Sequence, residues 1–362
     1  MMAEGTFQIA NPYEGVLQAV AKRAGAADRG EITLAADIRA LRDSGLLDHV
    51  ARACLPGGDA KAGADALRQV GRASLSVGRI VEGHANALAL IQLYGTPVQR
   101  QRAADAAAGQ ALFGVWGADG KKPVTIGTVH QNAATLSGSK QFCSGIGLVT
   151  QAVIAVETHD GPQLFVADVD DPARGDVSGW QVSGMRATAS GSHDFTGVTA
   201  QMLGQARDYL REPHFEGGIW RYCAIHCGGM EALAEHARQH ILRRGQSDNP
   251  LQRARLARLV SHAHTARLWV DASSLAVAQS SQAEAVPHAL LAREAVEQAC
   301  VAGITLTERI MGTAAFNERS DADRIRRDLA FFLRQADLDG KLDRAAKALL
   351  TQGTPVVGEV FS

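Results

Sequence analysis

The sequence predicts an α+β fold of three consecutive domains: an N-terminal α-helical domain (1–110), a middle antiparallel β-barrel or sandwich (111–205) and a C-terminal four-helix bundle (206–362). Two changes of hydrophobic period indicate this order. Helical spacing of apolar residues gives way to short β-rich segments near residue 111, and long helical stripes return near residue 206. The length of 362 residues, 46% of them hydrophobic, is enough for two or three domains with buried cores.

The N-terminal domain contains three well-patterned helical segments. "ITLAADIRALRDSGLLDHV" has leucines and isoleucine near helical spacing, and Gly45 suits a helix end. "GRASLSVGRIVEGHANALALIQLYGT" predicts a longer helix, whose small side chains permit close approach of neighbouring helices. The next helix is expected to begin with Thr96 as its N-cap and Pro97 at its first position.

The middle domain is a series of short β-rich segments separated by Gly, Pro and Asp: "ALFGVWG", "ATLSGSKQFCSG", "TQAVIAVE", "PQLFVADV", "GWQVSGM" and "HDFTGVTA". Such strands are typical of a compact antiparallel barrel or sandwich. Their linkers are too short for βαβ crossovers. Since no Gly-x-Gly-x-x-Gly follows a strand, we do not expect a Rossmann nucleotide site.

The C-terminal domain is predicted to contain four long helices. An apolar stripe runs from Met230 to Leu242, and a second helix of about 30 residues begins at Pro250. The third has Pro287 near its start, and the fourth, residues 324–336, is expected to run into an Asp-rich turn that ends at Gly340. Long helices with short joins predict an up-and-down bundle.

Composition excludes several classes of partner. A net charge of -1 argues against nucleic acid, because phosphate binding needs a basic excess. No apolar run approaches the roughly 20 residues of a membrane-spanning helix, and "MMAEGTFQIANPYEG" has no signal-peptide pattern. Five sparse cysteines do not suggest a disulfide framework. We therefore expect a cytoplasmic protein with a small-molecule substrate.

One group of residues raises the question of a metal site. Cys223, His226 and Cys227 lie within five positions, but their segment has the pattern of a helix packed by small residues. A zinc site needs four converging ligands, and the sequence offers no second pair. We interpret these residues as packing and predict no metal. His193 and His226 are interpreted as structural histidines rather than as bases.

Four motifs occur in a distinctive order along the chain: "LSGSKQFCSG", "GMRATASGSHDFTGV", "RIMGTAAF" and "RIRRDLAFFLRQ". Together with the domain order, they resemble the acyl-CoA dehydrogenase family of flavoproteins over most of the chain, from about Ile32 to Gly340. The resemblance implies that FAD lies between the β-domain and the C-terminal bundle.

The resemblance assigns several residues to the flavin ring. Phe142 matches an aromatic residue beside the ring, and Ser144 matches the hydroxyl residue at flavin N5. Residues 116–119, which begin with Trp116, match the strand end at the pyrimidine edge. There Ala118 replaces the family's threonine, so backbone amides would have to serve in its place.

The resemblance also implies that residues of a neighbouring subunit contact the FAD. Arg243 or Arg244 matches the arginine that pairs with the diphosphate, since a guanidinium binds phosphate bidentately. The alternative is a solvated helix end, where the helix dipole favours arginine. Arg309, Gly312 and Thr313 match the loop where the adenosine half lies, and a glycine there lets the backbone approach phosphate.

The resemblance also implies a catalytic carboxylate that removes an α-proton while flavin accepts hydride. Its usual position, nine residues after Arg327, is Ala336 in this chain. Asp337 is adjacent and is the candidate base; Asp339 is close by, and Glu216 is the only acid at the family's alternative position. Each of the three acids also fits a turn or loop role.

Three functions remain open at this point. The first is FAD-dependent α,β-dehydrogenation of an acyl thioester with an altered active site. The second is a flavin monooxygenase-like relative, which needs no α-carbon base, and the third is a non-catalytic binding or scaffold protein. In each case we expect a homodimer or homotetramer, because relatives associate through the bundle. The residues expected at that contact are Ala272, Leu275, Ala276, Ala299 and Ile304.

Overall fold

The computed structural model describes residues 11–335 and 337–351. The N-terminal part contains six helices: α1 (Glu14–Asp28), α2 (Ala35–Asp43), α3 (Leu46–Ala53), α4 (Ala60–Ala73), α5 (Leu75–Tyr94) and α6 (Pro97–Ala108). Gly45 separates α2 from α3 with a φ of 77°, a conformation that glycine adopts without strain. Thr96 caps α6 as predicted, since its side chain accepts a hydrogen bond from the Gln99 N–H and Pro97 follows it.

The middle part contains nine strands: β1 (Phe113–Trp116), β2 (Thr125–His130), β3 (Ala133–Ser137), β4 (Ser139–Cys143), β5 (Gln151–Val156), β6 (Gln163–Asp168), β7 (Gly175–Asp176), β8 (Gly191–Asp194) and β9 (Val198–Leu203). Six of them form one sheet in the order β1-β5-β6-β9-β3-β2, and the other three form a second sheet in the order β4-β8-β7. Within the described residues neither sheet closes, so of the two predicted architectures a barrel is not found.

One strand pair differs from the predicted antiparallel arrangement. β1 pairs with β5 in parallel, with Phe113 opposite Gln151 and Trp116 opposite Ile154, whereas the other paired strands are antiparallel. A parallel pair needs a long crossover. Here β2, β3 and β4 form the crossover in place of a helix. The short linkers between individual strands did not reveal this connection.

The C-terminal part contains five helices: α7 (Trp220–Arg243), α8 (Pro250–Gln279), α9 (Gln282–Met311), α10 (Asp321–Phe332) and α11 (Leu338–Thr351). α8 begins at Pro250 as predicted, while α9 begins earlier than expected and contains Pro287. The fourth predicted helix ends earlier than expected, since α10 ends at Phe332. Asp337, where a turn was predicted, has a φ of 61° that no right-handed helix contains. The helix that follows it, α11, was not predicted.

The N-terminal and C-terminal helical parts pack closely against each other. α7 packs against α4 and α5, and α5 also packs against β1. Gly228 of α7 faces α4, where an added Cβ would lie 2.0 Å from the Arg68 carbonyl oxygen. The absence of a side chain at this position therefore lets the two helices touch. As a result α5, the end of β1 and the start of α7 converge.

The adjacent residues Arg327 and Asp328 of α10 bind this helix to α1 and to the β-domain. The Arg327 guanidinium forms ion pairs of 2.7 Å with Asp28 of α1 and with Asp323. The Asp328 carboxylate accepts a hydrogen bond of 2.5 Å from the Met185 N–H in the β-domain. Burial raises the pKa of Asp328 to about 6. The motif that supported the family resemblance thus has a structural role in this chain.

The long helices carry some apolar side chains on their surface, yet none of the helices in the described residues is long and apolar enough to cross a membrane. The residues expected at a subunit contact differ in exposure. Leu275 of α8 is exposed, whereas Ala299 of α9 is buried within the chain. Association through α8 and α9 stays a prediction.

Candidate active site

A cavity of about 400 Å³ lies where β1, α5 and the start of α7 meet. Gly117 and Ala118 at the end of β1 form one wall, and residues of α5 form another. The loop before α7 contributes Phe215 and Glu216, and α11 contributes Lys341. The volume is in the range of small-molecule sites, which run from about 300 to 1,000 Å³.

A buried lysine holds the end of β1 against this cavity. The Lys140 side chain is fully buried, and its ammonium group donates hydrogen bonds to the Gly117 carbonyl at 3.0 Å and to the Asp119 carboxylate at 2.6 Å. It also donates to the Ala155 carbonyl on β5. The lysine of the Gly-x-Lys motif therefore fixes the backbone edge formed by Gly117 and Ala118.

The residues assigned to the flavin ring lie side by side at this edge. The Trp116 indole N–H donates to the Ser144 carbonyl at 3.2 Å, and the Gln141 N–H, next to Phe142, donates to the Ala118 carbonyl at 2.9 Å. The Ser144 hydroxyl is hydrogen-bonded to another hydroxyl, that of a serine before β8. Trp116, Ala118, Phe142 and Ser144 are thus close together, although only Ala118 lines the cavity itself.

The edge has two features that fit a flat aromatic cofactor such as a flavin ring. Phe142 has a φ of 54°, which is unusual for a residue with a side chain, and its ring is 56% exposed. A Cβ added at Gly117 would meet no atom within 4 Å, so the backbone there borders open space. An exposed aromatic ring beside an uncovered backbone edge provides both a stacking surface and hydrogen-bonding groups.

The candidate base Asp337 lies outside the cavity. Its side chain is 56% exposed, and a hydrogen bond from Arg344 lowers its pKa. Arg344 also binds Glu216, which does line the cavity, at 2.6 Å. Asp339 is exposed at the start of α11, and Ala336 lies outside the described residues. The structure therefore brings one of the three acids to the cavity, and an arginine binds that acid.

Glu82 of α5 is a functional candidate that the sequence analysis missed. It is buried, lines the cavity, and forms an ion pair with Arg79 and a hydrogen bond with Asn86. The available signal was a single acid in the stretch "RIVEGHANALAL", most of whose residues are apolar or small. A buried acid in a helix interior needs such partners.

Three other titratable side chains on the cavity wall are neutral near pH 7. Burial raises the pKa of Tyr209 and holds that of Tyr222 well above its ordinary value. Burial and the nearby Arg221 lower the pKa of His214. Both phenols therefore keep their protons, and the imidazole is uncharged.

The residues assigned to the diphosphate and adenosine lie elsewhere. Arg243 and Arg244 are exposed at the end of α7, whose 24 residues put them about 35 Å from its start. Arg309, Gly312 and Thr313 are exposed at the end of α9. Their assigned role, contact with a flavin bound to another subunit, stays a prediction.

The cysteines and histidines considered for a metal are packed in the core. Burial lowers the pKa of His226 to about 3 and raises that of Cys223 to about 12. Cys227 is buried on the same helix. His193 packs with its ring 5.3 Å from the Trp116 ring. In the described part of the chain no three such residues converge as metal ligands.

No protein-family model and no characterised protein sequence matches this chain. Solved structures do match. TdsC from Paenibacillus sp. A11-2, in complex with FMN and indole, has a TM-score of 0.76 at 19% identity, covering 96% of this chain and 99% of its own. KijD3, in complex with FMN and a dTDP-linked amino sugar, has a TM-score of 0.76 at 18% identity, covering 96% and 94%. Methanesulfinate monooxygenase MsuC from Pseudomonas fluorescens has a TM-score of 0.74 at 21% identity, covering 97% and 98%.

These similarities extend over nearly the whole of each chain, so they concern the complete arrangement of helical and β parts. At 18–21% identity they establish the fold and leave the activity to other arguments. The chain therefore shares the fold of these three proteins, in the order of helical, β and helical parts that the sequence predicted.

Proposed function

We propose that this protein is a flavin-dependent monooxygenase that transfers one oxygen atom of dioxygen to a small organic molecule. One observation favours oxygen transfer over acyl-CoA dehydrogenation. Glu82 and Glu216, the acids that line the cavity, are ion-paired with arginines, and Asp337 lies outside it. Within the described residues, no carboxylate is placed as a base for an α-proton. Oxygen transfer needs no such base.

The residues around the cavity suit FMN. Phe142 would stack on the flavin ring, while the Ser144 backbone and the edge formed by Gly117 and Ala118 would meet its polar atoms. FMN is favoured over the FAD first expected because the TdsC and KijD3 structures contain FMN.

The flavin, once reduced, supplies the two electrons needed to activate dioxygen. The overall reaction consumes reduced flavin, dioxygen and substrate, and it yields oxidised flavin, water and a product with one added oxygen. The sequence lacks a Gly-x-Gly-x-x-Gly dinucleotide motif, so we propose that a separate nicotinamide-dependent reductase supplies the reduced flavin.

The chain's own residues would bind, orient and shield the substrate. Leu90 and Leu93 of α5 and Ile219 before α7 give the cavity an apolar wall that excludes water. The Tyr222 hydroxyl keeps its proton near pH 7, because burial raises its pKa, and it can donate a hydrogen bond to an oxygen atom of the substrate.

The test mixes the protein with chemically reduced FMN, heavy-isotope dioxygen and a panel containing indole, dibenzothiophene and methanesulfinate. We expect mass spectrometry to find a product that carries one heavy oxygen atom. In a separate anaerobic experiment, we expect a panel of acyl-CoA thioesters to leave the absorbance of bound oxidised flavin unchanged. Bleaching would instead establish the dehydrogenase alternative, and a protein that takes up no flavin would establish the non-catalytic one.

Replacing Phe142 tests where the cofactor lies. Phe142→Ala should weaken FMN binding about fivefold, because the loss of one stacked ring costs about 1 kcal/mol. Quenching of FMN fluorescence measures the affinity. Val129→Ala, which shortens another exposed apolar side chain of the β-domain, is the control and should bind FMN as the wild type does. Equal affinities in all three proteins would place the flavin elsewhere.

A further inference from the structure

Arg221 differs from Glu82 and Glu216 on the same cavity wall, because it forms no ion pair within the described residues. It lies in the first turn of α7 and lines the cavity wall. Its guanidinium contacts the Gly218 carbonyl at 3.4 Å, the Trp220 ring at 5.1 Å from the ring centre, and the Cys54 thiol. The Arg221 Nε is buried and has no hydrogen-bond partner. In residues 11–335 and 337–351, none of its contacts is a carboxylate.

The neighbouring charges do not supply that partner. Arg79 binds Glu82 and Arg344 binds Glu216, so each of the two acids on the wall already has its own arginine. Burial raises the pKa of the Cys54 thiol to about 11, so it carries no charge. A partly buried guanidinium surrounded by neutral groups has lost hydration without gaining an ion pair, which is an unfavourable state.

The local backbone leaves Arg221 as the cationic group at this end of α7. Residues 217–219 form a tight turn that leads directly into α7, so the N-terminal end of a 24-residue helix lies on the cavity wall. The Glu212 carboxylate already caps this end, because it accepts hydrogen bonds from the Glu216 N–H at 3.0 Å and the Gly217 N–H at 3.2 Å. A Cβ at Gly218 would lie 2.5 Å from the Arg221 Nη1, so glycine at this position makes room for the guanidinium.

From this arrangement we infer that Arg221 binds an oxyanion on the substrate, a planar carboxylate or a sulfonate-type group. This inference rests on the proposed function and adds the substrate class. A guanidinium donates two parallel hydrogen bonds to such a group. The apolar body of the substrate would lie against Leu90, Leu93 and Ile219, between the anchored anion and the edge formed by Gly117 and Ala118.

The test measures ligand binding to the flavin-free protein by titration calorimetry, so it does not depend on turnover. Two matched pairs serve as probes: benzoate with benzamide, and benzenesulfonate with benzenesulfonamide. The wild type should bind at least one anion about tenfold more tightly than its neutral partner, and added salt should weaken that preference. The pair that shows the larger preference identifies the type of oxyanion.

Arg221→Met should remove the preference for the anion and leave the neutral compounds unaffected, while Arg221→Lys should keep part of it. Arg238→Met is the matched control, because Arg238 lies on the same helix, is half-exposed and pairs with Glu235. Equal binding of anion and amide by the wild type would overturn the inference, as would binding of neither. Should the methionine variant fail to fold, the wild-type comparison and the lysine variant decide. FMN uptake, measured separately, shows whether the proposed function has failed.

Discussion

Lys140→Met is expected to lower the free energy of unfolding by about 3–4 kcal/mol. Methionine fills nearly the same space but donates no hydrogen bond. The change leaves two carbonyls, those of Gly117 and Ala155, without their buried donor and removes the ion partner of the Asp119 carboxylate. Because that carboxylate is one-third exposed, its share of the loss is reduced by solvent screening.

Urea unfolding at pH 7 measures this effect, and Lys121→Met is the control, since Lys121 is an exposed lysine in the adjoining loop. The control should change the stability by less than about 0.5 kcal/mol. We also expect Lys140→Met to weaken FMN binding, because the edge formed by Gly117 and Ala118 loses its support. A stable variant with unchanged flavin affinity would show that the ammonium does not hold this edge.

The sequence predicted the order of helical and β parts because periodicity is a local property. Thr96 and Pro97 specify the start of α6 by themselves, and Pro250 specifies the start of α8. The parallel pairing of β1 with β5 depends on where three intervening strands take the chain, which no local pattern encodes. The turn at Asp337, whose φ is 61°, was predicted because an Asp-rich segment is a local turn signal.

The candidate site was harder to predict because a cavity exists only after distant segments meet. Ala118 and Ser144 were assigned through short local motifs, and they lie just after the ends of β1 and β4. In the sequence, Glu82 has no feature that distinguishes it from other acids in helices. It lines a cavity only because β1 and α7 pack beside α5. The preference for Asp337 rested on its place beside position 336, nine residues after Arg327, and required the helix to end before it. The helix does end at Phe332, yet Asp337 lies outside the cavity.

The second large effect is expected from Arg327→Met, which should destabilise the protein by about 3–5 kcal/mol. Arg327 binds Asp28 and Asp323, both nearly fully buried, and donates to the Ser183 carbonyl at 2.6 Å. Its loss leaves two buried carboxylates with less compensation. It also removes the Arg327 links from α10 to α1 and to the β-domain, while the Asp328–Met185 hydrogen bond remains. Arg52→Met provides the contrast, because the Arg52–Asp48 pair is largely exposed and should be worth less than about 1 kcal/mol.

The pH dependence separates this electrostatic cause from a loss of packing. Burial opposes ionisation of Asp323, but hydrogen bonds from Arg327 and Arg326 outweigh it and hold its pKa below the ordinary value. The stabilisation from Asp323 is therefore complete above the unfolded-state pKa of about 4 and is lost as the pH falls through the folded-state pKa. The stability difference between wild type and Arg327→Met should accordingly be nearly constant from pH 7 to about pH 5 and shrink as the pH falls below about 4. A difference that stays constant from about pH 5 down to about pH 2 would mean that Arg327 acts through its aliphatic packing instead of its charge.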